Sequence, residues 1–234
     1  MSVNEITHHI SQLLHEWKLD ARTVLFVFLA LAAGYLIGRR RSRGEAVGAS
    51  FQNHGEALLS RVVLSSFAPP DYHLLNHVTL RVNNGTTQVD HILVSRFGVF
   101  VIETKDYKGW LVANEKQPHW TQVLFHWKFR FQNPIVQNQR HVLAVQRLLD
   151  FLPSAAIKSA VVFTGDAEFK TDVPLGVFRL QEFIGYVRGH SDEVMSLNRM
   201  QFCVGRLETE RLAVTRKTDV DHIQSLRRWH DDAA

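Results

Sequence analysis

A chain of 234 residues with 45% hydrophobic content is long enough for one well-packed domain with an appendage, and disorder is not its default state. Its single cysteine, Cys203, excludes a disulfide framework and a Cys-based zinc cluster and points to a reducing compartment; within "MQFCVG" it reads as a small core residue rather than a nucleophile. The formal charge of +4 is weak evidence for a nucleic-acid partner, because residues 1 to 44 hold 6 Lys and Arg against 3 Asp and Glu and leave 21 against 20 elsewhere.

Residues 1–22 contain the mildly amphipathic "ITHHISQLLHEWKL", suited to lying at a membrane surface. Next comes "TVLFVFLALAAGYLIG", residues 23–38, 16 residues without a charge. At about 1.5 Å per residue it is slightly short for a hydrocarbon core of roughly 30 Å, and snorkelling by Arg22 and Arg39 extends it. A buried core helix is disfavoured by the lack of a polar stripe. A secretory signal is disfavoured because the positive charge, "RRRSR" at Arg39 to Arg43, follows the apolar stretch. The expectation is a single-pass anchor in the cell (inner) membrane with residues 1–22 outside. Residues 39–52 then form a basic juxtamembrane linker, and everything from 39 onward is cytoplasmic.

The folded part opens with "NHGEALLSRVVLSSF", where Leu58, Leu59, Val62 and Val63 recur at helical spacing behind Asn53 as N-cap. After "APPD" come "HVTLRV", an Asn-Gly turn, "TQVDHILVS", the turn "RFG" and "VFVIETK", an antiparallel three-stranded meander. "WLVANEKQPHWTQV" predicts a further hairpin. "FQNPIVQNQRHVLAVQRLLDFL" predicts a strong helix capped by Asn133 with Pro134 at its first position. "IKSAVVFTG" predicts a buried strand, "GVFRL" a short one, and 181 to 230 mostly helix with "LETERLAV" unassigned. The order predicts an α/β fold, a mixed β-sheet flanked by helices, with a domain over 53–165 and a mostly helical C-terminal extension over 166–234.

Charged residues in the buried-looking hairpin "VDHILVSRFGVFVIETKDYKGW" locate the chemistry. Strand alternation puts Glu103 and Lys105 on one face, and Asp90 on the neighbouring strand can be brought beside them. Two carboxylates and an ammonium in such a place are costly to desolvate without compensation, and a divalent cation supplies it. Mg²⁺ takes oxygen ligands and keeps several waters, which suits Asp90, Glu103 and the backbone carbonyl of Thr104. Such an ion polarises a phosphoryl oxygen, Lys105 orients or deprotonates a water, and phosphodiester hydrolysis is the natural reaction.

The spacing of Asp90 from "E-x-K" resembles the PD-(D/E)xK, restriction-endonuclease-like superfamily. The longer string, continued by "HWTQ" and "NPIVQNQRHVLAV", closely resembles the nuclease-related domain family over about residues 50 to 165. The resemblance implies an αβββαβ core and Mg²⁺- or Mn²⁺-dependent DNA cleavage with motif positions at Asp90, Glu103 and Lys105. It also implies supporting roles for Glu56 on the first helix and Gln137 on the later one. Gln137 lies in the first turn of its helix, and His141 shares its face.

Plainer readings stand beside these. Glu103 and Lys105 as an exposed ion pair would be worth about 1 kcal/mol at most. Glu56 as a solvated helix residue and Gln137 as a capping or packing residue need no further role. Tyr107, Lys108, Trp110, Trp127, Lys128 and Arg130 suit a nucleic-acid surface that stacks bases and touches phosphates, and equally suit a sheet edge. No H-E-x-x-H, phosphate-binding Gly loop or G-x-S-x-G is present, which removes zinc-protease, P-loop and serine-hydrolase chemistry. The expected function is a membrane-anchored, metal-dependent nuclease acting on DNA, with RNA not excluded. The alternative is a catalytically silent nucleic-acid-binding or scaffolding module at the membrane.

Overall fold

The computed structural model describes residues 52–83 and 85–231, with side chains followed to Ser225, all within a compact unit that begins at Gly48. The expected anchor at 23–38, the segment before it and nearly all of the linker lie outside the described residues. Among the described residues no helix is long and apolar enough to cross a membrane.

Helix α1 spans His54–Ser66, and the Asn53 side chain accepts from the Glu56 amide 3.0 Å away, the N-cap its sequence predicts. Strands β1 (Tyr72–Val82), β2 (Gly85–Ser95) and β3 (Gly98–Lys105) form the antiparallel meander, closed by the pairs Val82 with Gly85 and Ser95 with Gly98. Helix α2 (Pro134–Leu148), capped by Asn133 onto the Ile135 amide, leads to β7 (Ile157–Phe163). Strand β7 lies parallel to β3, and β9 (Val177–Arg179) lies parallel to β7. The order β1-β2-β3-β7-β9 is the expected mixed sheet.

Both sheet faces are covered. On one, Leu59 and Val63 of α1 and Phe183, Ile184 and Val187 of α3 (Leu180–Arg188) pack on Leu93, Phe100, Ile102 and Val162. On the other, Val145 and Leu149 of α2 and Met200, Cys203 and Leu207 of α4 (Leu197–Glu210) pack on Val78, Val89, Ile92, Val99 and Val101. Cys203 is fully buried there and burial pushes its thiol up to about 11, so it behaves as a core residue. A last helix, α5 (Arg216–Asp231), packs against β2.

The single expected sheet is corrected to two. Between β3 and α2 the chain makes β4 (Trp110–Val112), β5 (His119–Leu124) and β6 (Trp127–Gln132), which with β8 (Glu168–Phe169) form a separate sheet of order β6-β5-β4-β8. It separates because its alternate apolar residues, Leu111, Trp120, Phe131 and Phe169, close over Val161, Phe163 and Val177 as a third core cluster.

Candidate active site

The active-site candidates meet where the β2–β3 ladder ends. Its last pair is His91 with Ile102, so Val89 and Thr104 are the next positions that would exchange backbone hydrogen bonds. They do not; the Asp90 carboxylate reaches in, and its Oδ2 accepts the Thr104 amide at 2.8 Å. A strand residue turns its N–H and C=O to the same side, so the Thr104 carbonyl also faces this break rather than β7.

Beside the break, β1 is irregular as well. Every pair from Tyr72–Ser95 to Val82–Gly85 is in register except His77 opposite Asp90, and His77 has φ 53°. Around it the facing pattern slips on both strands. Leu75 and then Val78 and Leu80 face α2 and α4 on β1, as do Val89 and then Ile92 and Val94 on β2. A left-handed non-glycine backbone costs about 1–2 kcal/mol, and this one is held by side-chain bonds. His77 Nε2 lies 2.9 Å from Asp219 Oδ1 of α5, and Gln88 Nε2 lies 2.9 Å from His77 Nδ1.

Glu103 is the centre of the cluster. Lys105 Nζ donates to its Oε1 at 2.5 Å and to Gln137 Oε1 at 3.2 Å, and His141 Nε2 lies 3.2 Å from its Oε2. A carboxylate only accepts, so Nε2 carries the hydrogen, and a neutral His141 takes the Thr87 hydroxyl at Nδ1, 2.7 Å away. Asp90, Glu103, Lys105 and Gln137 are thus brought together. Glu56 is buried on α1 and takes the Asn53 carboxamide; it bonds none of the others but is near enough for its charge to reach Asp90.

The electrostatics separate the carboxylates. Burial, then the Glu103 and Glu56 charges, hold Asp90 well above the usual carboxylate range despite the Thr104 amide. Burial also raises Glu56, against His77 and Asn53. At Glu103 burial works upward, but the His141 hydrogen bond and the Lys105 ammonium outweigh it and hold the group low. Burial would lower the Lys105 ammonium, yet Glu103 and Asp90 keep it above its ordinary value. With Glu103 only 2% and Lys105 18% exposed at the side chain, this is a buried pair, not the surface pair of the plain reading.

Residues 52–164 match the model of the family described as nuclease-related domain. This segment is a nuclease-related domain. An uncharacterized protein of Bacillus anthracis is 45% identical over 97 residues, 41% of this chain and 45% of that protein, so the match spans less than half of either. No solved structure matches at a significant level.

The nuclease-related domain offers oxygen donors of the kind a Mg²⁺ or Mn²⁺ ion takes: Asp90, Glu103 and the Thr104 carbonyl facing the same break. The crowding of carboxylates that raises Asp90 fits a cation there. Among the described residues no group of three or more His, Cys, Asp and Glu side chains is disposed to hold a metal ion, so the donor set rests on two carboxylates and the carbonyl.

Other expected surface residues are redistributed. Tyr107 is half-buried, its ring packed on Phe131 and Phe163 against the third core cluster. Lys108, Trp110, Lys128 and Arg130 are exposed. Trp127 is exposed as well, but lies on the opposite face of the second sheet from Trp110 and Lys128. The sequence reading missed His77, Thr87 and the α5 contacts. Only the period-two pattern of "WKFRFQ" carried a signal, and it pointed to β6.

Proposed function

We propose that this nuclease-related domain hydrolyses nucleic-acid phosphodiester bonds, DNA first, with a divalent Mg²⁺ or Mn²⁺ ion held by Asp90, Glu103 and the Thr104 carbonyl. The observation that carries the reading is the convergence of Asp90, Glu103, Lys105 and Gln137 at the broken end of the β2–β3 ladder. When bound, the cation supplies Lewis-acid polarisation of a phosphoryl oxygen and neutralises developing charge. Lys105, bonded to Glu103 and Gln137, is the donor that orients a water and stabilises the transition-state charge. His141 and Thr87 hold the Glu103 carboxylate in one orientation, and Glu56 adds negative charge that favours cation entry.

The test is divalent-metal-dependent cleavage of linear, circular and single-stranded DNA, and of RNA, by the purified chain. Asp90→Asn and Lys105→Ala are each expected to lose about 100-fold or more. Removing Lys105 strands a buried carboxylate at a cost of about 3–5 kcal/mol, so its folding is checked by thermal melting; Asp90→Asn is the variant that stays folded. No cleavage by clean wild-type protein with any divalent metal would leave a catalytically silent binding or scaffolding module. That second reading draws support from Glu103, whose two oxygens are both engaged by protein groups.

We further propose that residues 23–38 tether the domain to the cell membrane with the N-terminus outside. The support is the charge-free stretch followed by "RRRSR". Alkaline extraction of membranes tests it: release of the full chain into the soluble fraction counts against the tether.

A further inference from the structure

The second sheet hangs from the active site by both its ends. It leaves the chain just after Lys105 and returns just before Gln137, and those two side chains are hydrogen-bonded to each other. One face of this sheet is its core face, carrying Leu111, Trp120, Phe131 and Phe169. The register fixes the other. Trp110, Val123 and Lys128 form one cross-strand row, and Val112, Thr121 and Arg130 the next.

On that outer face Trp110 is 52% exposed, with the Lys170 ammonium 4.6 Å from its ring centroid. Lys170 also donates to Glu168 at 2.5 Å, so part of its charge is already met. Lys128 and Arg130 make no hydrogen bond or ion pair among the described residues, and they stand two residues apart along the edge strand β6. A half-exposed indole in the same cross-strand row as Lys128, with Arg130 in the next, suits a ligand that offers both a π surface and a phosphate. Duplex nucleic acid hides its base faces in the stack, whereas a single strand exposes them.

We propose that this outer face binds single-stranded nucleic acid, stacking a base on Trp110 and seating the backbone on Lys128 and Arg130, and leads the strand to the Lys105–Gln137 site. The proposal names the substrate class of the nuclease reading and rests on it for the cut, while the binding stands independently.

Binding is measured with the full-length protein in chelator, where no metal-dependent cut can occur, by fluorescence anisotropy of labelled 20-mers: single-stranded DNA, single-stranded RNA and duplex DNA. Single strands are expected to bind at least about tenfold tighter than duplex, and Trp110→Ala to weaken them about 5- to 150-fold. The double variant Lys128→Ala with Arg130→Ala is expected to flatten the dependence of log affinity on log salt by about 1.4. Trp127→Ala, on the opposite face, is expected to leave affinity unchanged. Circular dichroism and melting temperature check that each variant is folded. Equal affinity for duplex and single strand, or unaltered single-strand affinity in folded Trp110→Ala, overturns the proposal. Dimers in sedimentation velocity that Trp110→Ala dissociates, with oligonucleotide affinity unchanged, also overturn it and assign the face to a second copy. Binding without cleavage by wild-type protein in Mg²⁺ removes the nuclease reading and leaves this one standing; cleavage with Trp110-independent binding does the reverse.

Discussion

Asp90 and His91 are neighbours whose burial has opposite consequences. The Asp90 carboxyl is raised, so between its ordinary range and its folded value the unfolded chain ionises more readily and stability falls as pH rises. Asp90→Asn removes that cost while its side-chain oxygen can still accept the Thr104 amide. A higher melting temperature at neutral pH is expected together with lost cleavage, about 2–4 °C for each kcal/mol relieved; an unchanged or lower melting temperature would show that the carboxylate is not strained. His91 is fully buried, donates from Nδ1 to Asn76 Oδ1 at 2.8 Å, and leaves Nε2 without a partner. Burial lowers it to about 3. Below pH 6.5 the unfolded chain takes a proton that the folded chain refuses, so stability is full above that pH and falls as pH drops toward 3. Urea unfolding at pH 7.5 and 5.0 is expected to show about 2 kcal/mol more loss in wild type than in His91→Gln; parallel losses would sink the assignment.

At the scale of elements, the corner after β3 decides where Lys105 points. Asp106 is pressed between α1 and the turn after β7. A Cβ on Gly165 would fall 2.3 Å from the Tyr107 carbonyl oxygen and 2.8 Å from its amide nitrogen. Backbone cannot yield as a side chain can, so Gly165→Ala is expected to cost about 1–3 kcal/mol in denaturant unfolding and to lower cleavage by shifting the Lys105 corner. Wild-type activity and stability in this variant would mean the corner does not hold the site. The helices and the meander were legible in the sequence because Asn53, Asn133 and Pro134 are local signals and apolar spacing is periodic. The second sheet was not, because "WKFRFQ" becomes a strand only by pairing with β5, a choice made by tertiary contact.

For the whole molecule, stability is unevenly distributed. Strands β3 and β7 lie between two helical layers, with Val99 to Ile102 and Ala160 to Phe163 at 0–1% exposure. Helix α5 is fastened mainly by polar bonds, His77 to Asp219, Thr86 to His222 and Ser225 Oγ to the Thr86 amide, and leaves Val220 and Ile223 about half exposed. Amides of α5 are expected to exchange with deuterium orders of magnitude sooner than those of β3. Equal protection would make α5 part of the global folding unit.

Sequence by itself determined the order of α1, the three-stranded meander, α2 and β7, and the identity of the charged motif residues. Helical period, strand alternation and turn residues act over a few positions and need no partner. It also carried the resemblance that the nuclease-related domain match over 52–164 establishes. Only the tertiary structure decided that Asp90 replaces a ladder partner of Thr104, that His141 and Gln137 close on Glu103 and Lys105, and that Tyr107 packs half-buried against the third core cluster while Trp110 is exposed. Each of these depends on contacts between segments apart in sequence, which no local pattern of residues specifies.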